Sequence, residues 1–427
     1  MSLILKNANL FKNKFNEIWV GNVLIDKNSN KKVIYSKEIS ELLDKSSEAT
    51  IIDCNRLLVM PAYINAHFHS QNFFSQLILT DETILGLQKQ EKIYHKLDKI
   101  WDRDLLEAAA LYSAINLLKN GTIHVIDMLS GPAIASIDNI QIIYETYKKV
   151  GVNVMPVIVI TDKYGFGVAE NLLDTTEAWL KSHKGLMGLD HLFNVGTGTL
   201  TEVKRLMDKF KCGIHGHLAE YAYDQSHSID KYKLSVVERL DALNLINNPR
   251  NMWAGCLHIT NDEVDLIREN KNNVIELYES SQWENKGYFS SEGLPLIMFG
   301  TDGMHSDMWQ TMKNTYYFNT EYDRISINDA LKRLYQPHKY FSRFFPSIYD
   351  PASFVIYDCP LINCINEEMK PMQLLQLIDR KYIKYVISQG EITVEDNKLT
   401  KIKELDAYIL INRQFKRLKS LYNNRQY

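Results

Sequence analysis

The sequence predicts an α/β fold, a (β/α)8 barrel of the TIM type inserted into a small β-sandwich domain formed by both chain termini. Between about residues 60 and 349, short apolar runs alternate with amphipathic helical stretches. Residues 1–59 and the chain after residue 350 carry β-type runs separated by polar turns instead. Histidine and acidic residues follow several of the middle runs, where a barrel places its active site.

The composition indicates a folded globular protein and argues against nucleic-acid-binding and membrane proteins. The 427 residues are 45% hydrophobic and 24% charged, which are ordinary values for a folded globular protein. A formal net charge of −3 argues against nucleic-acid binding, and the apolar runs are too short to span a membrane. The five cysteines lack paired metal-type spacing, and the N-terminus lacks the features of a signal peptide. We therefore expect a cytoplasmic protein with reduced thiols and no nucleic-acid or membrane partner.

The predicted organisation has three parts. Residues 1–59 form the first part of the sandwich, residues 60–349 the barrel, and residues 350–427 the second part with a C-terminal tail. The predicted barrel strands are residues 59–64, 123–128, 152–160, 192–195, 212–217, 252–257, 274–277 and 296–300. Residues 105–118 are a predicted helix with Asp104 as N-cap and Asn120-Gly121 at its end. Periodicity alone leaves a doubly wound open sheet as the alternative.

Three strand ends offer the residues of a metal site. His67 and His69 are two apart at the end of the first strand, so their side chains share a face. His217 ends the fifth strand, and Asp302 follows the eighth. Three imidazoles and one carboxylate suit one divalent ion with room for a water, whose pKa the ion would lower towards neutrality. Asp302 is also a candidate acceptor of the water's proton.

A general acid/base candidate lies beside this set. Glu220 comes three residues after His217, near the predicted ion without being one of its ligands. A carboxyl group in that position can carry protons to and from a substrate. We therefore predict catalytic roles for Glu220 and Asp302.

The motifs His67-Phe-His69, His217-Leu-Ala-Glu220 and Gly300-Thr-Asp302 resemble the amidohydrolase superfamily, in its cytosine deaminase, guanine deaminase and chlorohydrolase-like branch. Within that branch the sequence most resembles the SsnA-type aminohydrolases associated with selenium metabolism. The resemblance covers nearly the whole chain. It implies one Zn or Fe ion held by His67, His69, His217 and Asp302, with Glu220 as the proton shuttle. It also implies that metal-bound hydroxide deaminates a nitrogen heterocycle, a small-molecule substrate.

Two positions depart from the pattern of this branch. Gly255 aligns with the histidine that normally ends the sixth strand in this branch. His258 and His305 are the candidates to replace that histidine, either by contacting the substrate or by acting as an acid/base group. The fourth strand also lacks its usual histidine, with Val195 or a neighbour in its place. Two alternatives to the deaminase therefore stay open, a weakened or inactive relative that acts as a binding protein and a chlorohydrolase-like enzyme. Residues 73–101 are predicted to cover the site as a lid or to form a dimer contact, and we expect a homodimer.

Overall fold

The computed structural model describes residues 2–11, 18–26, 32–79, 87–319, 323–360 and 370–424. Their strands form one sheet of nine strands and one sheet of eight strands. The nine-stranded sheet takes strands from both ends of the chain, and the eight-stranded sheet takes the strands between them. The predicted fold class, a (β/α)8 barrel inserted into a small β-sandwich domain formed by both termini, is confirmed in its barrel and its terminal β domain, and the described strands of that domain form one sheet.

The nine-stranded sheet joins the two ends of the chain. Its strands are β1 (Leu3–Phe11), β2 (Ile18–Ile25), β3 (Val33–Ser36), β4 (Thr50–Asp53), β5 (Leu58–Pro61), β14 (Phe354–Tyr357), β15 (Ile383–Ser388), β16 (Glu391–Glu395) and β17 (Lys398–Leu399). The connection is the antiparallel pairing of β5 with β14, in which Pro61 lies opposite Phe354. The predicted strands at both termini are therefore present.

The eight-stranded sheet is a parallel barrel in chain order. Its strands are β6 (Tyr63–Phe68), β7 (Thr122–Leu129), β8 (Asn153–Ile160), β9 (Met187–Leu189), β10 (Ile214–Leu218), β11 (Met252–Gly255), β12 (Asn273–Glu276) and β13 (Ile297–Phe299). Beyond β13, the N–H of Asp302 donates to the carbonyl oxygen of His67 at 3.1 Å, and the N–H of His69 donates to that of Asp302 at 3.2 Å. These bonds close the barrel and exclude the open-sheet alternative.

The described helices follow most of the barrel strands, except for one short helix before the barrel and two helices after residue 370. They are α1 (Ser40–Leu43), α2 (Ser70–Ser75), α3 (Leu87–Asp98), α4 (Arg103–Lys119), α5 (Ile137–Val150), α6 (Phe166–Ser182), α7 (Thr197–Phe210), α8 (Ala222–Tyr232), α9 (Val236–Ala242), α10 (Asn261–Glu269), α11 (Tyr278–Trp283), α12 (Met308–Phe318), α13 (Ile327–Phe344), α14 (Pro371–Leu377) and α15 (Glu404–Asn424). Among the described residues, no helix is long and apolar enough to cross a membrane.

Two predicted barrel strands are displaced. Residues 59–64 divide between the two sheets, because β5 pairs with β14 and the barrel strand begins at Tyr63. The prediction of a strand at residues 192–195 is wrong, since Leu192–Asn194 form a 3-10 turn and the fourth strand is β9. A Cβ on Gly188 in β9 would lie 2.1 Å from the carbonyl oxygen of Ile158, so the strand needs glycine there. A three-residue strand with a central glycine gives little apolar pattern.

The N-cap predicted for α4 is wrong by two residues, and the described cysteines form no disulfide. The N-cap of α4 is Asp102 instead of Asp104, because the Asp102 carboxylate accepts a hydrogen bond from the N–H of Leu105 at 3.1 Å. The described cysteines are free and buried, while Cys364 lies outside the described residues.

Helix α13 seals the N-terminal end of the barrel. Tyr340, Phe341 and Phe345 pack into the apolar cluster inside the barrel, and the ring of Phe341 lies 4.1 Å from that of His124. His338 bonds through Nε2 to the carbonyl oxygen of Ala62 at 2.9 Å. Since this end is filled by buried side chains, a ligand has to enter at the opposite end, where the strands terminate.

Candidate active site

Side chains from three barrel strand ends converge on one point. The Nε2 atoms of His67 and His69, at the end of β6, are 3.0 Å apart. Asp302 Oδ1 lies 3.4 Å from His69 Nε2 and 3.9 Å from His67 Nε2. The ring of His217, from β10, lies 4.9 Å from that of His67 and 5.5 Å from that of His69. The structure thus brings the four predicted ligands together.

The backbone at Asp302 turns sharply to reach this point. Asp302 has a φ of +53°, in the left-handed region that residues other than glycine seldom adopt. Such conformations persist where surrounding contacts hold them, and the two hydrogen bonds that close the barrel do so here. The same bonds that join β13 to β6 therefore place the carboxylate against the two histidines.

The histidines fit a divalent ion chemically. Ligand atoms of His67, His69 and His217 all lie within 4.8 Å of one another, and the three side chains are buried. Burial lowers the pKa of His67 well below its usual range and that of His69 to about 4. Both imidazoles are therefore neutral, which is the form that binds metal. His67 Nδ1 bonds to His215 Nε2 at 2.8 Å, so that its Nε2 faces the site.

Glu220 stands beside the ligands as an ionised carboxylate. Its Oε2 lies 2.8 Å from Nδ1 of His217, and its Oε1 accepts from Nζ of Lys286 at 2.5 Å. Burial by itself would raise the pKa of Glu220, but the charges of Lys286 and then His217 outweigh it and lower that pKa well below the usual range. Glu220 therefore carries a negative charge within 2.8 Å of His217, one of the predicted ligands.

Sequence reasoning missed Lys286 and Glu284. Both lie in the segment after α11, and both line the cavity above the histidines. Lys286 Nζ lies 2.5 Å from Glu284 Oε2 and 4.0 Å from Asp302 Oδ2. Burial raises the pKa of Glu284, whereas the facing carboxylates raise that of Lys286 despite its own burial. No motif marks this segment, so the pair could not be found without the tertiary structure.

Sequence reasoning also missed His191, and the predicted loss of a histidine on the fourth strand is wrong. His191 follows β9, and its ring stacks on that of His217 with centroids 4.7 Å apart. Its Nε2 lies 3.8 Å from Glu220 Oε2. Burial opposes charge on His191, but Asp224 and Glu220 raise its pKa to about 9, so it can donate a hydrogen bond to a ligand. The sequence predicts Val195 at this position because the predicted strand, residues 192–195, lies after the actual fourth strand, β9.

The position of Gly255 leaves no room for a side chain. A Cβ there would lie 2.9 Å from both Cβ and Cγ of Glu220, and the φ of +93° is strained for other residues. His258 bonds through Nε2 to the carbonyl oxygen of Lys286 at 2.7 Å, so it reaches the site only through that segment. His305 Nε2 lies 3.2 Å from Glu279 Oε1, and neither His258 nor His305 lines the cavity.

Helix α3 covers the cavity, within the segment predicted as a lid. Glu91, Tyr94 and Asp98 of α3 line a space of about 80 Å³ above the histidines. The hydroxyl of Tyr94 donates to Glu284 at 3.4 Å, and Asp98 lies 3.3 Å from Nζ of Lys163. These polar contacts tie α3 to the barrel rim, while the preceding residues 80–86 lie outside the described part of the chain.

Comparisons with known proteins agree with this geometry. Residues 58–333, more than half of the chain, match the model of the amidohydrolase family. A 5-methylthioadenosine/S-adenosylhomocysteine deaminase of Caldanaerobacter subterraneus is 24% identical over 349 residues, which are 78% of this chain and 76% of that protein.

Two solved structures share the fold. An adenosine deaminase of Xanthomonas campestris with bound zinc superposes with a TM-score of 0.80 at 15% identity, over 98% of each chain. A variant of the atrazine chlorohydrolase of Arthrobacter aurescens, in complex with zinc and atraton, has a TM-score of 0.81 at 13% identity, over 97% of this chain and 100% of that one. At these identities the likeness is one of fold.

Proposed function

Because the chain belongs to the amidohydrolase family, we propose that it is a metal-dependent aminohydrolase that removes an amino group from a nitrogen heterocycle. The predicted resemblance and the predicted enzyme class, a hydrolase of non-peptide C–N bonds, are confirmed. The finer resemblance to the SsnA-type enzymes stays a prediction. The observation that carries the proposal is Glu220 at 2.8 Å from a histidine of the convergent His67, His69, His217 and Asp302 set.

The four convergent residues would hold one ion, zinc or iron. A divalent ion bound there lowers the pKa of a water towards neutrality and so supplies a nucleophile at pH 7. Asp302 faces both histidines of β6 and can accept the proton that this water loses. The end of β9 offers no lysine to bridge a second ion, which favours a single-metal site.

Glu220 would move protons to the substrate. Its two oxygens lie between His217 and Lys286 at the floor of the cavity, where a bound ring can approach. The ionised Glu220 would take a proton from the attacking water and pass it to a ring nitrogen, which makes the attacked carbon more electrophilic. The second proton of the water, accepted by Asp302, would leave with the amino group as ammonia. His191 would donate a hydrogen bond to the same substrate, because its charged ring stacks beside His217.

The cavity walls suit a polar substrate of the adenosine type. Lys163 Nζ lies 3.3 Å from Asp98 and 3.5 Å from Asp190, and these groups line the cavity together with Tyr94 and Tyr221. These polar groups lie away from the predicted metal site. They could bind the hydroxyl groups of a substituent on the ring that is deaminated. The name of the relative that this chain resembles over three quarters of its length supports the same choice.

Turnover by the zinc-loaded protein and by Glu220→Gln tests the proposal. We expect the wild type to release ammonia from adenosine, 5-methylthioadenosine or a related nucleoside. Glu220→Gln keeps the shape of the side chain, but its amide cannot accept and release a proton as the carboxylate does, so its kcat should fall by about 10² to 10⁴ while its metal content is unchanged. Glu202→Gln, on the exposed face of α7, is the matched control.

Other results would point to the alternatives. Equal turnover by Glu220→Gln and the wild type would remove Glu220 from the mechanism. Metal binding without ammonia release from any purine or pyrimidine would favour a non-catalytic relative, and release of chloride from a chlorinated ring would favour a chlorohydrolase. The cytoplasmic location and the homodimer stay predictions, which fractionation and light scattering would test.

A further inference from the structure

The ammonium group of Lys286 lies among three buried carboxylates. Its Nζ is 2.5 Å from Glu220 Oε1, 2.5 Å from Glu284 Oε2 and 4.0 Å from Asp302 Oδ2. The side chains of Lys286 and Glu220 are 4% and 1% exposed. Like charges so close together and so far from water repel strongly, so the lysine is what keeps the carboxylates together.

The surrounding structure holds Lys286 in a fixed position. Its N–H donates to the carbonyl oxygen of Ser281 at 2.9 Å, and its own carbonyl accepts from Nε2 of His258 at 2.7 Å. Its Nζ lies 5.3 Å from the ring centroid of Tyr221, within the range of a cation–π contact. The two backbone hydrogen bonds and the Tyr221 ring therefore hold the ammonium group of Lys286 beside Glu220.

The neighbouring strand cannot supply a group at this position. A Cβ on Gly255, at the end of β11, would overlap Cβ and Cγ of Glu220 at 2.9 Å. A positively charged partner for Glu220 must therefore come from another element. Lys286 reaches it from the segment after α11, on the far side of β12.

We propose that Lys286 is a positioning residue of the reaction, which holds the carboxylate of Glu220 against His217 and at the floor of the cavity. This inference rests on the proposed function, because it assumes that Glu220 transfers protons. Lys286 acts through Glu220 and is not a metal ligand.

The first test is the crystal structure of the zinc-loaded Lys286→Met protein. Methionine keeps most of the aliphatic chain but lacks the charge, so the segment can fold as before. We expect the Glu220 carboxylate to move away from His217 and from Glu284. An unmoved Glu220 would overturn the proposal, and this result does not depend on whether the protein has deaminase activity.

The second test is kinetic, with the nucleoside that the wild type deaminates. We expect Lys286→Ala to lower kcat by about 10²-fold, since misplacing a reacting group by about 1 Å costs that much, with KM within about threefold of the wild type. Its zinc content should equal that of the wild type. Ethylammonium should restore part of the kcat of Lys286→Ala with saturation, but not that of Lys286→Met, whose side chain fills the space.

The outcomes of the kinetic test separate the two proposals. Turnover by the wild type tests the proposed function. The ratio of the kcat of Lys286→Ala to that of the wild type tests the role of Lys286. A kcat of Lys286→Ala within about threefold of the wild type would overturn that role. So would loss of zinc from Lys286→Ala, or ethylammonium rescue that is absent or equal in both variants.

Discussion

Gly255 is the position where one added carbon atom should disturb the active site most. Replacement by alanine adds a Cβ 2.9 Å from Cβ and Cγ of Glu220, which is 0.5 Å inside the 3.4 Å at which ordinary contacts begin. The nearest atoms belong to the base of the Glu220 side chain, which cannot swing away without the backbone. We therefore expect Glu220 to shift by roughly 0.5 Å or more.

The size of the effect follows from two separate causes. A φ of +93° costs alanine about 1–3 kcal/mol relative to glycine. With an unfolding entropy of about 0.9 kcal/mol/K for a chain of this length, that strain lowers Tm by about 1–3 °C. A 0.5 Å displacement of Glu220 should lower kcat by roughly tenfold, given about 10²-fold for 1 Å. For the same reasons Gly255→His should lose activity further, and the new side chain should not act as the histidine that normally ends the sixth strand in the resembled branch.

The assay combines ammonia release with thermal denaturation, and the chain offers a matched control. Gly165, the N-cap of α6, has the same φ of +93°, and no atom of the described residues lies within 4 Å of its added Cβ. Gly165→Ala should therefore lower Tm by a similar amount and leave kcat unchanged. If Gly255→Ala lost no more kcat than Gly165→Ala, or if Gly255→His gained activity, the steric reasoning would be refuted.

Three further predictions concern the metal, pH and a buried ion pair. His69→Ala should abolish zinc retention in elemental analysis while His305→Ala retains it; equal zinc in both would contradict the site. Burial lowers the pKa of His124 to about 3, so below pH 6.5 the unfolded chain takes up a proton that the folded chain refuses. The free energy of unfolding should therefore fall by up to about 3 kcal/mol between pH 6.5 and 4, and less in His124→Leu; identical pH slopes would refute this. Glu276→Ala removes one of the two buried carboxylates that contact Arg333, at 2.6 Å from its NH1, and leaves Asp323 at 2.8 Å from its NH2. It should lower the free energy of urea unfolding by about 2 kcal/mol; a loss under about 1 kcal/mol would contradict that.

The sequence alone predicts the fold class and the convergence of the candidate ligands on one rim of the barrel. Barrel strands are long enough to show as apolar runs, and the ends of parallel strands meet on one rim, so His67, His217 and Asp302 could be placed together. The fourth strand escaped this reasoning because it is three residues long with a glycine at its centre. Its misplacement hid His191, although an imidazole two residues after a short apolar run is visible in the sequence.

Only the tertiary structure decided what surrounds Glu220. Lys286 lies 66 residues away along the chain in a segment without a motif, and its pairing with Glu220 arises because the end of β12 and the following segment fold over β11. Local patterns report which face of an element is buried, but they carry no information on contacts between irregular segments. Gly255 is a second example. In the sequence it stands where the resembled branch has a histidine, but in the structure it is a position against which the side chain of Glu220 packs.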